Sequence, residues 1–144
     1  MRAFLASLLL LLALTGCREV RVKTFKTGLT TVLGPAQLIV LRDARGLEKY
    51  GIKAPVRFNK EFGMLLLMGP HRETGWSQLI ESIRANSDRV RVVAFERQPL
   101  DGGEPTAEYR TYTLWIIPNS VYRSGSVVDV VTPSGDPITS TTLR

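Results

Sequence analysis

Cysteine and histidine are almost missing from this 144-residue chain, which has one of each, Cys17 and His71. A lone cysteine has no intramolecular disulfide partner. With a lone histidine, imidazole-centred triads and Cys/His zinc clusters lack their parts. His71 stands between Gly69-Pro70 and Arg72-Glu73, a polar turn in which the ring reads as solvated or hydrogen-bonded rather than as a base. The carboxylates supply no substitute. Asp101 and Glu104 share a Gly- and Pro-rich segment and Asp129 and Asp136 flank a late turn, with no spacing that fixes an acid and a base across a sugar. Phosphate cradles and nucleophile elbows are missing too, because Leu100-Asp-Gly-Gly-Glu104 has neither the strand-to-helix setting nor the lysine. The expected function is therefore noncatalytic, with no metal and no dissociable cofactor.

Long apolar runs are also scarce. The longest, Ala3 to Leu14, falls well short of the roughly 20 residues a helix needs to cross a ~30 Å hydrocarbon core. With Arg2 ahead of it, the run has the form of an export signal. It closes on Leu14-Thr15-Gly16-Cys17, which resembles the lipobox of bacterial lipoproteins. That resemblance implies cleavage between Gly16 and Cys17, diacylglycerol on the Cys17 thiol and an N-acyl chain on its amine. Two or more chains, each buried methylene contributing ~0.8 kcal/mol, hold a protein stably at a membrane where one does not. The expected organisation is a signal peptide over 1–16, a lipidated N-terminus and tether over 17–30, and one domain over 31–144. The expected location is the cell envelope, anchored by lipid. Arg18 stands where an Asp would favour inner-membrane retention in many diderm bacteria, so the resemblance implies the outer membrane for such a host.

The net charge of +6 includes Arg2. Arg18, Arg21, Lys23 and Lys26 lie beside the expected anchor, where anionic lipids and wall polymers are the nearest partners and nucleic acid is not expected.

Strand signals dominate the rest of the chain. Gln37 to Leu41 and Met64 to Met68 are short apolar runs bounded by Gly or Pro, as buried strands are. Between them, Asp43 to Tyr50 has a capping residue, Leu47 and Tyr50 three apart, and Gly51 as a stop, which predicts one short helix. Trp76 to Ile83, Val90 to Glu96, Arg110 to Ile117 and Ser126 to Val131 read as further strands. The alternation in Arg89-Val-Arg-Val-Val93 marks a sheet buried on one face. Pro99 to Pro105 can continue neither helix nor central strand and is an exposed loop. The predicted fold is mainly β, an antiparallel sandwich or partly open barrel with one short helix near the start of the domain.

With these elements placed, residues from about 37 to 129 resemble the bacterial PrcB-like domain, named for an accessory component of a surface protease complex. The resemblance rests on an ordered set: Phe58-Asn59-Lys60 leading into Met64-Leu-Leu-Leu-Met-Gly69, then Glu73-Thr74-Gly75-Trp76-Ser77, then Leu79 to Ile83, and later Arg110-Thr-Tyr-Thr-Leu-Trp-Ile-Ile-Pro118. Glu73 replaces a Pro of the family turn, one of its paired glycines is missing, and Trp76 replaces its Tyr. What the resemblance implies is a noncatalytic, protein-binding accessory domain that supports a protease or another envelope complex. The turn His71, Arg72, Glu73, Thr74, Gly75, Trp76 is the candidate binding loop, since loops on a rigid sheet carry recognition. Trp76 is its anchor for a partner or, alternatively, a core residue, whereas Trp115 belongs to the core. Two other functions fit parts of the pattern: a protease inhibitor of immunoglobulin-like fold, through Thr74-Gly75-Trp76, and a basic module that binds wall polymers or lipid surfaces.

Overall fold

A computed structural model describes residues 18–19, 24–86, 88–120 and 123–144. Cys17, Gly16 and the expected export signal lie outside the described residues. The elements run β1 (Arg18–Glu19), β2 (Thr24–Thr30), β3 (Gln37–Leu41), α1 (Ala44–Lys49), β4 (Glu61–Glu73), β5 (Ser77–Ala85), β6 (Arg89–Arg97), β7 (Pro105–Pro118), β8 (Val127–Val131) and β9 (Pro137–Thr142). They form two sheets, one of five strands in the order β1-β5-β6-β8-β9 and one of four in the order β2-β7-β4-β3. The mainly β fold is thus a sandwich, not a closed barrel. Every pairing is antiparallel except β6 with β8, which is parallel.

The sequence reaches this arrangement through strands buried on both faces. In β4 every residue from Phe62 to Met68 is buried, which is why Met64-Leu-Leu-Leu-Met68 shows no alternation. Phe62, Met64, Leu66 and Met68 face the core between the sheets, against Val90, Val92, Trp115, Ile117, Val128 and Val130. Leu65 and Leu67 face outward into a second core with Leu47, Tyr50, Ile52, Tyr112 and Leu114. Each such side chain contributes about 1.5–3 kcal/mol when fully buried. The outer core exists because α1 and the segment after it lie across the four-stranded sheet. Asp43 caps that helix, its carboxylate accepting from the Gly46 N–H at 2.8 Å, and Leu47 turns inward.

The structure corrects two expectations. Of the tether expected over 17–30, the described residues Arg18–Glu19 and Thr24–Thr30 are strands. Thr24–Thr30 pair along β7 from Trp115 to Arg110, and Arg18 and Glu19 pair with Ala85 and Arg84 of β5. The long β7 would otherwise leave a row of N–H and C=O groups open along its free edge, and β2 satisfies them. The domain therefore takes in residues before 31. Nor is the stretch after Gly69 a loop. β4 passes an irregularity between Met68 and His71 and runs on to Glu73, so that only Thr74, Gly75 and Trp76 turn the chain into β5.

Candidate functional site

β4 and β6 run toward one end of the sandwich and β5 and β7 start from it, so the 74–76 turn and the 98–104 loop lie there together. The two are joined by backbone and side chain. The Thr74 N–H donates to the Glu104 carbonyl at 2.8 Å, and the Glu104 N–H donates to Thr74 Oγ1 at 3.0 Å. Glycine makes the approach feasible at two places. Gly75 (φ +94°) and Gly103 (φ +65°) occupy the left-handed region, where a side chain is strained. A Cβ on Gly75 would meet Pro99 Cβ at 2.7 Å, and one on Gly103 would run into the Thr74 carbonyl oxygen.

Beneath the turn, His71 is held rather than free. Its Nε2 lies 2.7 Å from Glu96 Oε1, and the two side chains are only 9% and 14% exposed. A carboxylate can only accept, so this nitrogen donates. The Thr111 hydroxyl donates to the same oxygen at 2.5 Å, and Gln78 Nε2 reaches Thr111 Oγ1 at 3.4 Å. Trp76 stacks on the imidazole with ring centroids 4.2 Å apart and planes 11° apart. Tyr109 flanks it at 5.8 Å and donates its phenolic hydrogen to the Glu73 carbonyl at 2.6 Å. Trp76 is therefore a half-buried lid on a fixed histidine, neither a core residue like the fully buried Trp115 nor a free loop anchor.

The predicted binding loop is thereby divided. His71 joins the buried polar cluster. Arg72 and Glu73 are exposed on the strand, with Arg72 paired to Glu108 at 3.1 Å, a surface contact worth about 0–1 kcal/mol. Thr74, Gly75 and Trp76 form the turn itself. Sequence reasoning missed Glu96, Tyr109 and Thr111. Glu96 had a signal: it follows Val90, Val92 and Ala94 on the buried face of β6, and a carboxylate on that face must find a donor.

Beside the turn, at this end of the sandwich, lies a groove of about 460 Å³ lined by Leu29, Thr30, Tyr50, Thr74, Thr106 and Tyr109 among others. Leu29, Leu33 and Leu100 are the large apolar side chains exposed among the described residues, at 59%, 67% and 101%. Leu29 lines the groove, Leu33 follows it in the segment leaving β2, and Leu100 tips the loop pinned to Thr74. No group of three or more His, Cys, Asp or Glu side chains is placed to hold a metal among the described residues. Asp101 and Glu104 are exposed on the loop. Asp129 pairs with Arg89 at 2.8 Å, and Asp136 accepts from Ser134 at 2.7 Å. On the outer face of the other sheet, Arg84 and Arg91 lie directly opposite each other and line a smaller groove with Glu81 and Ser82.

No protein-family model, no curated protein and no solved structure matches this chain.

Proposed function

We propose that this chain is a membrane-anchored envelope lipoprotein whose sandwich is a noncatalytic, protein-binding accessory domain. Its partner would be an envelope protein or complex, a protease being the one the PrcB-like resemblance suggests. The observation that carries the reading is the gathering of Trp76, a groove and the exposed Leu29, Leu33 and Leu100 at one end of a rigid sheet. Exposed apolar residues grouped around a concavity mark interaction surfaces, and a stacked Trp presents contact area with little entropy left to lose.

The connection to the lipid supports the same reading. Arg18 follows Cys17 in sequence and pairs with Ala85, at the far end of β5 from the turn that precedes Ser77. Along β5, at ~3.3 Å per residue, the turn and the anchor end stand roughly 26 Å apart. A lipid on Cys17 would hold the far end against the membrane, near Arg84 and Arg91, and present the groove end outward.

In intact cells, photo-crosslinking from position 100 followed by mass spectrometry is expected to capture a reproducible protein partner, and Trp76→Ala is expected to abolish the capture. Cys17→Ser is expected to release the chain from the membrane fraction and remove palmitate labelling. A chain that crosslinks to nothing, or that crosslinks equally well without Trp76, would sink the binding role. Retention at the membrane with label after Cys17→Ser would sink the anchor.

A further inference from the structure

The outer face of the five-stranded sheet carries two cations that the fold sets against each other. Arg84 of β5 is the direct cross-strand partner of Arg91 of β6. Residues so paired have Cβ atoms roughly 4.5–5.5 Å apart, and like charges there repel. Val90, Val92 and Ala94 take the inner side of β6, so Arg91 points outward with Arg89 and Val93. Arg89 already holds Asp129 at 2.8 Å. Arg84 and Arg91 are exposed, and among the described residues neither is in an ion pair; the four there use Arg57, His71, Arg72 and Arg89.

Both arginines line the smaller groove, of about 290 Å³, with Val93, Val131 and Pro133 as apolar wall and Glu81 as the one carboxylate in its lining. Two guanidiniums against one carboxylate leave a single positive charge in excess. Guanidinium forks match phosphate oxygens, and a phosphodiester, with one negative charge, balances that excess while its two free oxygens meet one arginine each.

The place of the groove in the fold says which phosphodiester it meets. Arg18 pairs through its backbone with Ala85 and Glu19 with Arg84 itself, two residues whose charges cancel. Cys17 is bonded to Arg18. Its Cα is therefore at most about 13 Å from that of Arg84, counting two Cα–Cα steps and one strand pair. With a lipid on Cys17, no length of chain separates this face from the headgroups. Lys60 and Arg123 are exposed at the same end, against the exposed Asp88.

We propose that the outer face of the five-stranded sheet is a membrane-facing surface on which Arg84 and Arg91 together bind the phosphodiester of an anionic phospholipid, so that the sandwich leans on that face beside its anchor. This deepens the function proposed above and rests on it for nearness to the bilayer, though not for the arginine site itself. Two basic residues at an anionic surface strengthen association by about thirtyfold, about fivefold each. That suffices to orient an anchored domain and is too little to hold a released one, so loss from the membrane after Cys17→Ser still follows.

The test places the isotope-labelled full chain in nanodiscs of phosphatidylcholine, alone and with increasing phosphatidylglycerol, and follows the Nε–Hε resonances of Arg84 and Arg91 by NMR. Both are expected to shift saturably with phosphatidylglycerol and to return as salt rises. A spin label on a trace of lipid headgroups is expected to broaden the amides of Ser82 to Ala85 and Arg89 to Val93 and to spare Thr74 to Trp76. The Arg84→Gln/Arg91→Gln chain is expected to stay folded, since it loses a repulsion. Its ratio of face-bound to detached domain, read from that broadening, is expected to fall by about thirtyfold. Resonances that phosphatidylglycerol does not move, or broadening that is equal in the two lipids or centred on Thr74 to Trp76, overturn the proposal. A tighter response to soluble poly(glycerol phosphate) or to inorganic phosphate overturns it too, by giving the groove to a wall polymer or a free ion. Silence at Arg84 and Arg91 with palmitate label lost on Cys17→Ser removes this inference alone. A phosphatidylglycerol response with label and membrane retention unchanged by Cys17→Ser removes the lipid anchor and leaves the arginine site.

Discussion

Replacing Glu96 with alanine is expected to cost about 2–6 kcal/mol of folding stability, because two largely buried donors lose the one acceptor they share. Glu96 Oε1 is the common acceptor for His71 Nε2 at 2.7 Å and the Thr111 hydroxyl at 2.5 Å. Removing it strands both donors where little water reaches, each at a cost of about 1–3 kcal/mol. The effect is also directed. His71 is the surface on which Trp76 stacks, so a released imidazole frees the indole. Chemical denaturation with an unchanged slope would report the loss of stability. An indole emission moved toward that of a solvated ring would report the release of Trp76, since Trp115 stays in the core. Glu96→Gln keeps one acceptor and is expected to lose less. A Glu96→Ala protein within about 1 kcal/mol of wild type would show that the cluster does not hold the turn.

Gly103→Ala is the second substitution expected to act strongly, and it acts on shape. At φ +65° an alanine is strained, at about 1–3 kcal/mol for a non-glycine residue held in the left-handed region. Its Cβ would also meet a backbone oxygen, that of Thr74, which cannot swing aside as a side chain can. The relief available is for the 98–104 loop to lift from the turn, breaking the reciprocal hydrogen bonds of Thr74 and Glu104. The expected result is a folded sandwich, with amide exchange sped up only over 74–76 and 98–104 and the crosslink from position 100 lost. Gly102→Ala is the control, since a Cβ there meets nothing within 4 Å, although its φ of +79° carries the same dihedral strain. Equal behaviour of the two variants would show that the close approach does not matter.

These effects were only partly readable from the sequence. The strands that carry continuous apolar runs, β3 and β4, and the alternating β6 were legible because burial on one or both faces writes directly into side-chain type. So was α1, through Asp43 and the apolar spacing of Leu47 and Tyr50. β2 and β9 were not. Thr24 to Thr30 and Pro137 to Thr142 are rich in Thr with Lys, Gly, Pro or Ser, and as edge strands each contributes backbone pairing more than apolar surface. Turn chemistry misled at Gly69-Pro70: a proline removes an N–H, which reads as the end of a strand, yet β4 resumes at His71. The candidate loop was placed at the right end of the fold, but its organisation depends on contacts across 25 residues from His71 to Glu96 and 30 from Thr74 to Glu104. Pairings at that range are set by sheet register, and no local spacing records them.

In the proposed role the groove end is the surface that meets the partner. Amide hydrogen exchange of the full chain, alone and with the partner captured from position 100, tests this most directly. Slowed exchange is expected at Leu29 to Leu33, Thr74 to Trp76 and Pro99 to Glu104, with the outer face around Arg84 and Arg91 unchanged. Protection centred on that arginine face, with the three groove segments unmoved, would contradict it.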